Sequence, residues 1–202
     1  MIAMRDPQRY KLSFTSGALH LRGAAIAANL YQESRDWIVA RTALRAGNLL
    51  QARTDATSAR WSRELIQRLK MLSDDEIALL ADATRDEMTQ LIWTAACRKY
   101  ILIGEFAEEV LRERFLLMQP TLTHEHFDSF VSAKRLWHDE LTELTDSTYR
   151  KLRSNLFAML REGGFITHDG VIIPTNLAAC VRPLLMSRVP SDIRFFPTRE
   201  EA

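Results

Sequence analysis

The sequence is poor in the residues that interrupt helices or crosslink small folds. Glycine and proline number only 7 and 6 among 202 residues, and cysteine only 2. Residues 48–119 contain one glycine and no proline, and residues 121–162 contain neither. Such a chain is expected to be mostly helical with short connections. Two cysteines exclude a disulfide scaffold and a cysteine-rich metal site, and we expect Cys97 and Cys180 to be buried, reduced thiols.

Long apolar runs are also missing. The most apolar stretch, residues 91–106, is interrupted by Arg98 and Lys99. No stretch reaches the ~18 apolar residues that a membrane span needs. No apolar signal-peptide run follows the initial methionine. The sequence therefore predicts a cytoplasmic protein that does not contact a membrane.

Motifs of common catalytic sites are absent as well. The sequence contains no P-loop, no G-x-G-x-x-G and no G-x-S-x-G. His124 and His126 fall on different faces of a helix, so a capped helix start with solvated histidines explains them better than a metal site. We therefore expect no catalytic residue, no cofactor and no metal ion.

Charge is distributed unevenly along the chain, although its total is only +1. Residues 1–72 carry 12 basic and 5 acidic side chains, residues 73–146 carry 7 and 16, and residues 147–202 carry 8 and 5. Two basic ends therefore flank an acidic middle. This asymmetry favours a nucleic-acid partner because the basic residues coincide with helical patterns. We divide the chain at nearly the same points into three segments, residues 1–72, 73–145 and 146–202.

The first segment has the pattern of short helices that lead to a basic one. An extended start over residues 10–15 precedes helices predicted near residues 19–31 and 35–46, the second capped by Ser34 and ended by Gly47. A third helix is predicted over residues 58–72, with an apolar face formed by Trp61, Leu65, Leu69 and Leu72. Its opposite face holds Arg60, Arg63, Gln67 and Lys70. A helix, a connection and a basic helix together outline a helix-turn-helix, although the connection is longer than usual.

The acidic second segment continues the helical pattern. Ser73 and Glu76 form a predicted capping box. Apolar positions then recur at helical spacing as far as Phe115, with Gly104 as the expected break or close-packing point. Thr123 can cap a further helix. We expect a helical bundle whose acidic face is either solvated or a surface for a basic partner.

The third segment combines a helix with a predicted β-hairpin. Asp146 or Ser147 can cap a helix over residues 148–161. Its buried face is predicted to hold Tyr149, Leu152, Leu156, Met159 and Leu160. Its outer face is predicted to hold Arg150, Lys151, Ser154 and Arg161, with Arg153 at the edge. Two β-branched runs around Asp169 and Gly170 favour a hairpin. A helix followed by a hairpin outlines a winged helix, which serves either DNA binding or protein interaction.

Short stretches that follow one another along nearly the whole chain form a distinctive set. They are Leu12–Leu19, Asp36–Trp37, Asn48–Thr54, Ser58–Arg60, Cys97–Tyr100, Glu105–Phe106, Ser147–Arg153 and Phe195–Pro197. In order and spacing, the set resembles the BrxA family, the small helical component of BREX phage-defence systems. The resemblance implies a mainly helical protein with helix-turn-helix-like ends that binds double-stranded DNA and has no catalytic activity. It implies DNA contacts at Arg53, Ser58, Arg60, Arg63, Thr148, Arg150, Lys151 and Arg153.

The sequence thus predicts a mainly α-helical fold with a helix-turn-helix-like N-terminal segment, a central helical bundle and a C-terminal winged-helix-like segment with a short β-hairpin. The predicted function is that of a non-enzymatic, double-stranded DNA-binding accessory protein of a BREX system, with other BREX proteins as further partners. Basic side chains would bind phosphates, and hydroxyl groups would add contacts. The candidate DNA-binding residues are Arg53, Ser58, Arg60, Arg63, Gln67, Lys70, Thr148, Arg150, Lys151, Arg153 and Ser154. Two alternatives stay open: a protein-interaction scaffold for larger BREX enzymes, and an RNA-binding helical protein of the antitermination-factor type.

Overall fold

α-Helices dominate the chain, in agreement with its low glycine and proline content. The structure is a computed structural model that describes residues 9–14 and 16–200. Its α-helices, in chain order, are α1 (Leu21–Ser34), α2 (Trp37–Ala46), α3 (Asp55–Leu69), α4 (Asp74–Ala81), α5 (Arg85–Lys99), α6 (Ile101–Phe106), α7 (Glu113–Leu116), α8 (His124–Lys134), α9 (Asp139–Thr142), α10 (Asp146–Glu162) and α11 (Arg182–Met186). A π-helical turn over Ala107–Arg112 joins α6 to α7, and a 3-10 turn covers Asp192–Phe195. The prediction of a mainly helical fold is confirmed.

The first two helices follow the prediction except for the residue that caps α2. Residues 10–14 form no helix, and Thr15, the last residue of the predicted extended start, lies outside the described residues. Ser34 belongs to the end of α1, where its hydroxyl donates to the Leu30 carbonyl at 2.7 Å. Asp36 caps α2 in its place, because its carboxylate accepts the Ile38 N–H at 2.6 Å. Gly47 ends α2 as predicted.

The two basic helices also start at caps other than the predicted ones. Thr54 caps α3, so the helix begins at Asp55, three residues before the predicted start. Thr145 caps α10, and its hydroxyl oxygen accepts the Thr148 N–H at 3.3 Å. Asp146 and Ser147, the predicted caps, are therefore the first residues inside α10. In both cases threonine supplies the oxygen that the free N–H groups of a helix start require.

The long middle helix breaks at Tyr100 and not at Gly104. Tyr100 has extended backbone angles, with φ −118° and ψ 94°, and separates α5 from α6. Gly104 lies inside α6, where a Cβ atom would come within 3.0 Å of the Cys97 carbonyl oxygen and 3.2 Å of the Phe195 ring. Glycine is therefore needed at position 104 for close packing, which was the other role predicted for it.

The predicted β-hairpin is reduced to a tight antiparallel turn. Ile166 and Ile172 form an isolated β-bridge, and the Ile173 N–H donates to the Phe165 carbonyl at 2.9 Å. Pro174 ends the second run at once, because proline has no N–H for a longer ladder. Within the described residues, the two β-branched runs therefore form isolated β-bridges and no β-strand. The helix-turn-helix and winged-helix arrangements stay predictions.

One cluster of buried apolar side chains takes members from all three sequence segments. Its members include Phe14, Leu65, Trp93, Leu156 and Phe196. The predicted buried face of α10 is confirmed except at Tyr149, which is half-buried. The predicted apolar face of α3 is also buried, except at the half-buried Trp61. The three segments therefore share a single core in the described structure.

The two cysteines differ in environment. Cys97 is buried on α5, as expected, and burial raises the pKa of its thiol well above the usual value. Cys180 is exposed, so the expectation that both thiols are buried is wrong. Cys180 lies at the surface, directly after a coil segment. Its thiol donates to the Glu87 carboxylate at 2.9 Å.

Arg98 joins distant parts of the chain through a buried ion-pair network. Its guanidinium group is 5% exposed and contacts the Glu76 carboxylate at 2.6 Å and the Asp192 carboxylate at 2.7 Å. It also donates to the Met71 carbonyl at 3.0 Å. The predicted capping box of Ser73 and Glu76 is present, so the same carboxylate also caps α4. One cation thus holds the start of α4 and the C-terminal 3-10 turn against α5.

None of the helices in the described part of the chain is both long and apolar enough to cross a membrane.

We expect Leu65→Ala and Leu156→Ala each to lower the free energy of unfolding by about 2–5 kcal/mol, because each leaves a cavity in the core. Both side chains are 0% exposed. Ile38→Ala is the control, since Ile38 is 64% exposed and its loss should change stability by less than about 0.5 kcal/mol. Thermal melts that do not move for the two leucine variants would show that the buried faces are assigned wrongly.

Acid should weaken the structure through Glu76. Burial disfavours its ionised form, but the hydrogen bonds from Arg98 and from the Ser73 N–H outweigh burial and hold its pKa below the usual 4.5. The stabilisation is therefore present above pH 4.5 and is lost as the pH falls below that value. Glu76→Gln should be less stable at pH 7 and should lose less stability than the parent protein between pH 5 and pH 3. Parallel pH profiles of the unfolding free energy would contradict this assignment.

Candidate nucleic-acid interface

The basic face of α3 consists of Arg60, Arg63, Gln67 and Lys70. All four side chains are exposed, and their spacing of three or four residues places them on one side of the helix, as predicted. Among the described residues, neither Arg60 nor Arg63 nor Lys70 forms an ion pair or a side-chain hydrogen bond. Their positive charge is therefore available to a partner.

A second buried ion pair fixes α3 in place. Arg68 is 0% exposed, pairs with Glu64 one turn earlier, and donates to the Ala18 carbonyl at 2.8 Å. Its guanidinium carbon also lies 5.7 Å from the centre of the Tyr100 ring. Burial and the nearby charge of Arg68 lower the pKa of His20 to about 4. The His20 imidazole is therefore neutral at pH 7 and adds no charge to this region.

The connection from α2 to α3 is ordered by one side chain. The Asn48 amide accepts the Ala52 N–H at 2.9 Å and donates to the Ala52 carbonyl at 3.0 Å. Arg53 follows directly, is exposed, and precedes the cap of α3. The connection covers residues 47–54, which is longer than the three or four residues of an ordinary helix-turn-helix.

Ser58 lies on the buried side of α3, where it cannot contact a partner. It is 3% exposed and stands seven residues before Leu65, on the same apolar face. Its hydroxyl was expected at the DNA surface because of its residue type and the family resemblance. The helical repeat instead places the Ser58 hydroxyl on the buried face of α3, where it has no hydrogen-bond partner.

The basic face of α10 consists of Arg150, Lys151 and Ser154. All three are exposed, as predicted from the helical pattern. In the described structure, Lys151 forms no ion pair, and the one recorded bond of the Arg150 guanidinium is a 3.3 Å contact to the Asp146 carbonyl. These side chains are also available to a partner.

Two predicted contact residues on α10 already have intramolecular roles. Arg153 pairs with Asp128 on α8 at 2.6 Å, and only 21% of its side chain is exposed. The same carboxylate accepts the Tyr149 hydroxyl. Burial and this bond raise the pKa of Tyr149. Thr148 is exposed, but its hydroxyl lies 2.9 Å from that of Thr145 within the helix cap. A phosphate would have to compete with these contacts.

The segment that precedes α1 runs alongside α10. The Asn155 side chain donates to the Phe14 carbonyl at 2.9 Å, and the Leu19 N–H donates to the Glu162 carboxylate at 2.7 Å. Gly17 makes the approach possible, because a Cβ there would lie only 3.1 Å from the Cβ of Ala158. Residues of the first sequence segment therefore help to hold the C-terminal basic helix.

A groove near the α2–α3 connection and the end of α10 is lined by Arg22, Arg85 and Arg161, and also by the acidic residues Asp86 and Glu162. It consists of two cavities of about 310 and 510 Å³ that share Arg85 and Glu162 as lining residues. The first cavity borders residues 49–51, and the second borders residues 163–165 of the antiparallel turn. The groove thus reaches from the α2–α3 connection to the end of α10.

Arg22 and Arg85 were not among the residues predicted from the sequence. They lie on different helices and are distant in sequence, so spacing along the chain does not indicate that both line one groove. One local signal was present: both arginines lie in the first turn of a helix, where the helix dipole disfavours a cation. An anion bound beside such a cation would interact favourably with both the arginine and the helix dipole.

Acidic residues of the middle segment are partly neutralised within the structure. Lys134 lies 2.6 Å from both Glu105 and Glu109, and Arg194 lies 3.1 Å from Glu108. His126 is used as a cap, since its Nδ1 accepts the Thr123 N–H at 2.9 Å. No group of three or more candidate metal-binding side chains is found within residues 9–14 and 16–200. These ion pairs use only some of the acidic side chains of the middle segment.

Comparison with known families shows which family the chain belongs to. A sequence model of the BrxA family matches residues 8–189, which is most of its length. The chain belongs to the BrxA family. This membership confirms the resemblance seen in the sequence and makes the protein a component of the BREX type of phage defence.

Curated relatives in the family come from three different bacteria. "BREX protein BrxA" of Paramagnetospirillum magneticum is 29% identical over 81% of this chain and 82% of its own length. "BREX protein BrxA" of Escherichia coli O9:H4 is 25% identical over 74% and 70%, and that of Bacillus cereus is 24% identical over 73% and 71%. A solved structure of an uncharacterised protein from Magnetospirillum magneticum matches with a TM-score of 0.81 at 25% identity and covers 94% of this chain and 99% of its own. The helical fold is therefore that of a solved relative.

The intramolecular role of Arg153 predicts a difference between neighbouring positions on α10. Arg153→Glu places a carboxylate beside Asp128 and should lower the free energy of unfolding by about 1 kcal/mol. Arg150→Glu combined with Lys151→Glu should change it by less than about 0.5 kcal/mol, since both side chains are exposed. Denaturant unfolding of both variants checks this. Equal losses would show that the ion pair with Asp128 does not hold Arg153.

Proposed function

We propose that this BrxA-family protein is a non-catalytic component of a BREX system that binds double-stranded DNA through α3, α10 and the groove at Arg22, Arg85 and Arg161. The observation that carries the proposal is the group of unpaired, exposed cations on these elements. In the described structure, no ion pair is formed by six of them, namely Arg53, Arg60, Arg63, Lys70, Arg150 and Lys151. Phosphate oxygens are the partners that such side chains most often bind on nucleic acids.

The form of the surface favours a duplex over a single strand. Each basic face lies on the outside of a helix of four or more turns, which is the element that enters a major groove. The aromatic side chains of α3 and α10, Trp61, Tyr149 and Phe157, are half-buried or buried. They are therefore poorly placed to stack on the bases of a single strand. The antiparallel turn after α10 has an exposed tip at His168 and Asp169, which would correspond to the wing.

The test is a titration of duplex DNA at several salt concentrations. Arg60→Glu with Arg63→Glu and, separately, Arg150→Glu with Lys151→Glu should weaken binding. Each lost phosphate contact should reduce the slope of log affinity against log salt by about one. Unchanged affinity and slope in a folded double variant would exclude that helix from the interface.

A control variant separates local contacts from total charge. Arg188→Glu with Arg199→Glu changes the net charge equally, and both arginines are exposed on the C-terminal part of the chain, outside the proposed interface. This control should reduce affinity much less than either helix variant. Equal losses in all three variants would indicate nonspecific attraction by net charge, and not a contact at α3 or α10.

A second candidate function, binding of another BREX protein, is favoured by one observation. Leu136 and Trp137, just after α8, are 76% and 63% exposed. Large apolar side chains left in solvent are typical of protein interfaces. Retained DNA affinity of the Arg150→Glu, Lys151→Glu variant, together with loss of a co-purifying BREX protein, would assign α10 to this function.

Equal affinity for duplex RNA and duplex DNA would instead favour the RNA-binding alternative.

A further inference from the structure

A small cavity between α2 and α3 is surrounded by arginine side chains. Its volume is about 190 Å³. Arg41, Thr42 and Arg45 line it from α2, and Ala59, Ser62 and Arg63 line it from α3. Three arginine side chains from two helices therefore border one cavity.

Most of this positive charge is not compensated within the protein. Arg45 pairs with Asp55, with contacts of 2.6 and 3.1 Å between the guanidinium and the carboxylate. Arg41 and Arg63 have no ion pair or side-chain hydrogen bond among the described residues. Like charges gathered around one cavity repel each other, and an anion between them would remove that repulsion.

Ser62 provides an independent indication of a ligand. Its side chain is 0% exposed and lines the cavity, yet its hydroxyl oxygen has no hydrogen-bond partner. Buried hydroxyl groups in proteins are normally paired, because an unpaired one loses its bond to water without replacement. An occupant of the cavity that accepts a hydrogen bond would satisfy this group.

The chemistry of the lining selects the class of occupant. The arginine and serine side chains around the cavity offer hydrogen-bond donors, and no carboxylate lines it. The Asp55 carboxylate is already bound to Arg45. Guanidinium groups match the oxygens of phosphate in pairs. A cation would be repelled by this lining, and a neutral ligand would leave the charges uncompensated.

We infer that the cavity between α2 and α3 binds a phosphate group through Arg41, Arg63 and the buried hydroxyl of Ser62. As a site for a backbone phosphate of DNA, it rests on the proposed function and adds α2 to the interface. Free inorganic phosphate has the same chemistry, so the test measures both sources.

Ser62→Ala is the decisive variant, and Ser58→Ala is its matched control. Both serines lie on α3, are buried, and have unpaired hydroxyls, but only Ser62 lines the cavity. Neither substitution removes a hydrogen bond, and alanine favours the helix. Both variants should therefore melt at or above the temperature of the parent protein without ligand. Arg41→Gln removes an exposed cation and should also fold normally.

Two ligands are tested on the full chain. Duplex affinity should fall about tenfold for Ser62→Ala, the value of one hydrogen bond to a charged acceptor, and should not change for Ser58→Ala. Arg41→Gln should reduce the salt slope by about one. Inorganic phosphate, compared with chloride at equal ionic strength, should raise the melting temperature of the parent protein and of Ser58→Ala more than that of the other two variants.

The outcomes distinguish the two proposals. If the parent protein binds no duplex at any salt concentration, the proposed DNA function fails, and the phosphate melts alone decide the cavity. A phosphate-dependent shift that Ser62→Ala and Arg41→Gln lose then supports the site. The inference is overturned if Ser62→Ala and Arg41→Gln behave like Ser58→Ala toward both ligands, or if neither ligand binds the parent protein.

Discussion

Buried side chains of α3 and α10 bind the backbone of the same short segment, the residues that precede α1. Arg68 of α3 donates to the Ala18 carbonyl at 2.8 Å, and Asn155 of α10 donates to the Phe14 carbonyl at 2.9 Å. Glu162 accepts the Leu19 N–H at 2.7 Å. Unpaired buried donors are costly, so the contacts of the buried Arg68 and Asn155 hold α3 and α10 against the segment. The two basic helices are thereby both attached to the segment that precedes α1.

A shared attachment limits how far the two basic helices can move independently of each other. Two helices that moved independently would lose conformational entropy on binding, whereas preorganised helices avoid that loss. The acidic middle segment contributes by packing and by internal ion pairs. Lys134 neutralises Glu105 and Glu109, and Arg98 holds Glu76 and Asp192. Phosphate groups at α3 and α10 would meet cations that no carboxylate of the described chain has already bound.

Helical periodicity predicts which residues of each helix are exposed or buried. It does not predict contacts between residues that are distant in the sequence. The exposed positions of α3 and α10 follow from a repeat of 3.6 residues, and that repeat also places Ser58 beside Leu65 on the buried face. Residue type and the family resemblance predict that Ser58 faces outward, which disagrees with its position in the helical repeat. The groove at Arg22 and Arg85 and the pair of Arg153 with Asp128 depend on packing between helices. The break at Tyr100 has no proline or glycine to mark it, so it could not be read from composition.

The salt dependence of duplex binding by the unaltered protein tests the central claim most directly. The two basic faces and Arg53 supply six exposed cations, Arg53, Arg60, Arg63, Lys70, Arg150 and Lys151. If at least half of them reach phosphates, the slope of log affinity against log salt should be about −3 or steeper for duplex DNA. Single-stranded DNA of the same length should bind more weakly. A slope near zero, or no binding to the duplex at low salt, would contradict the account.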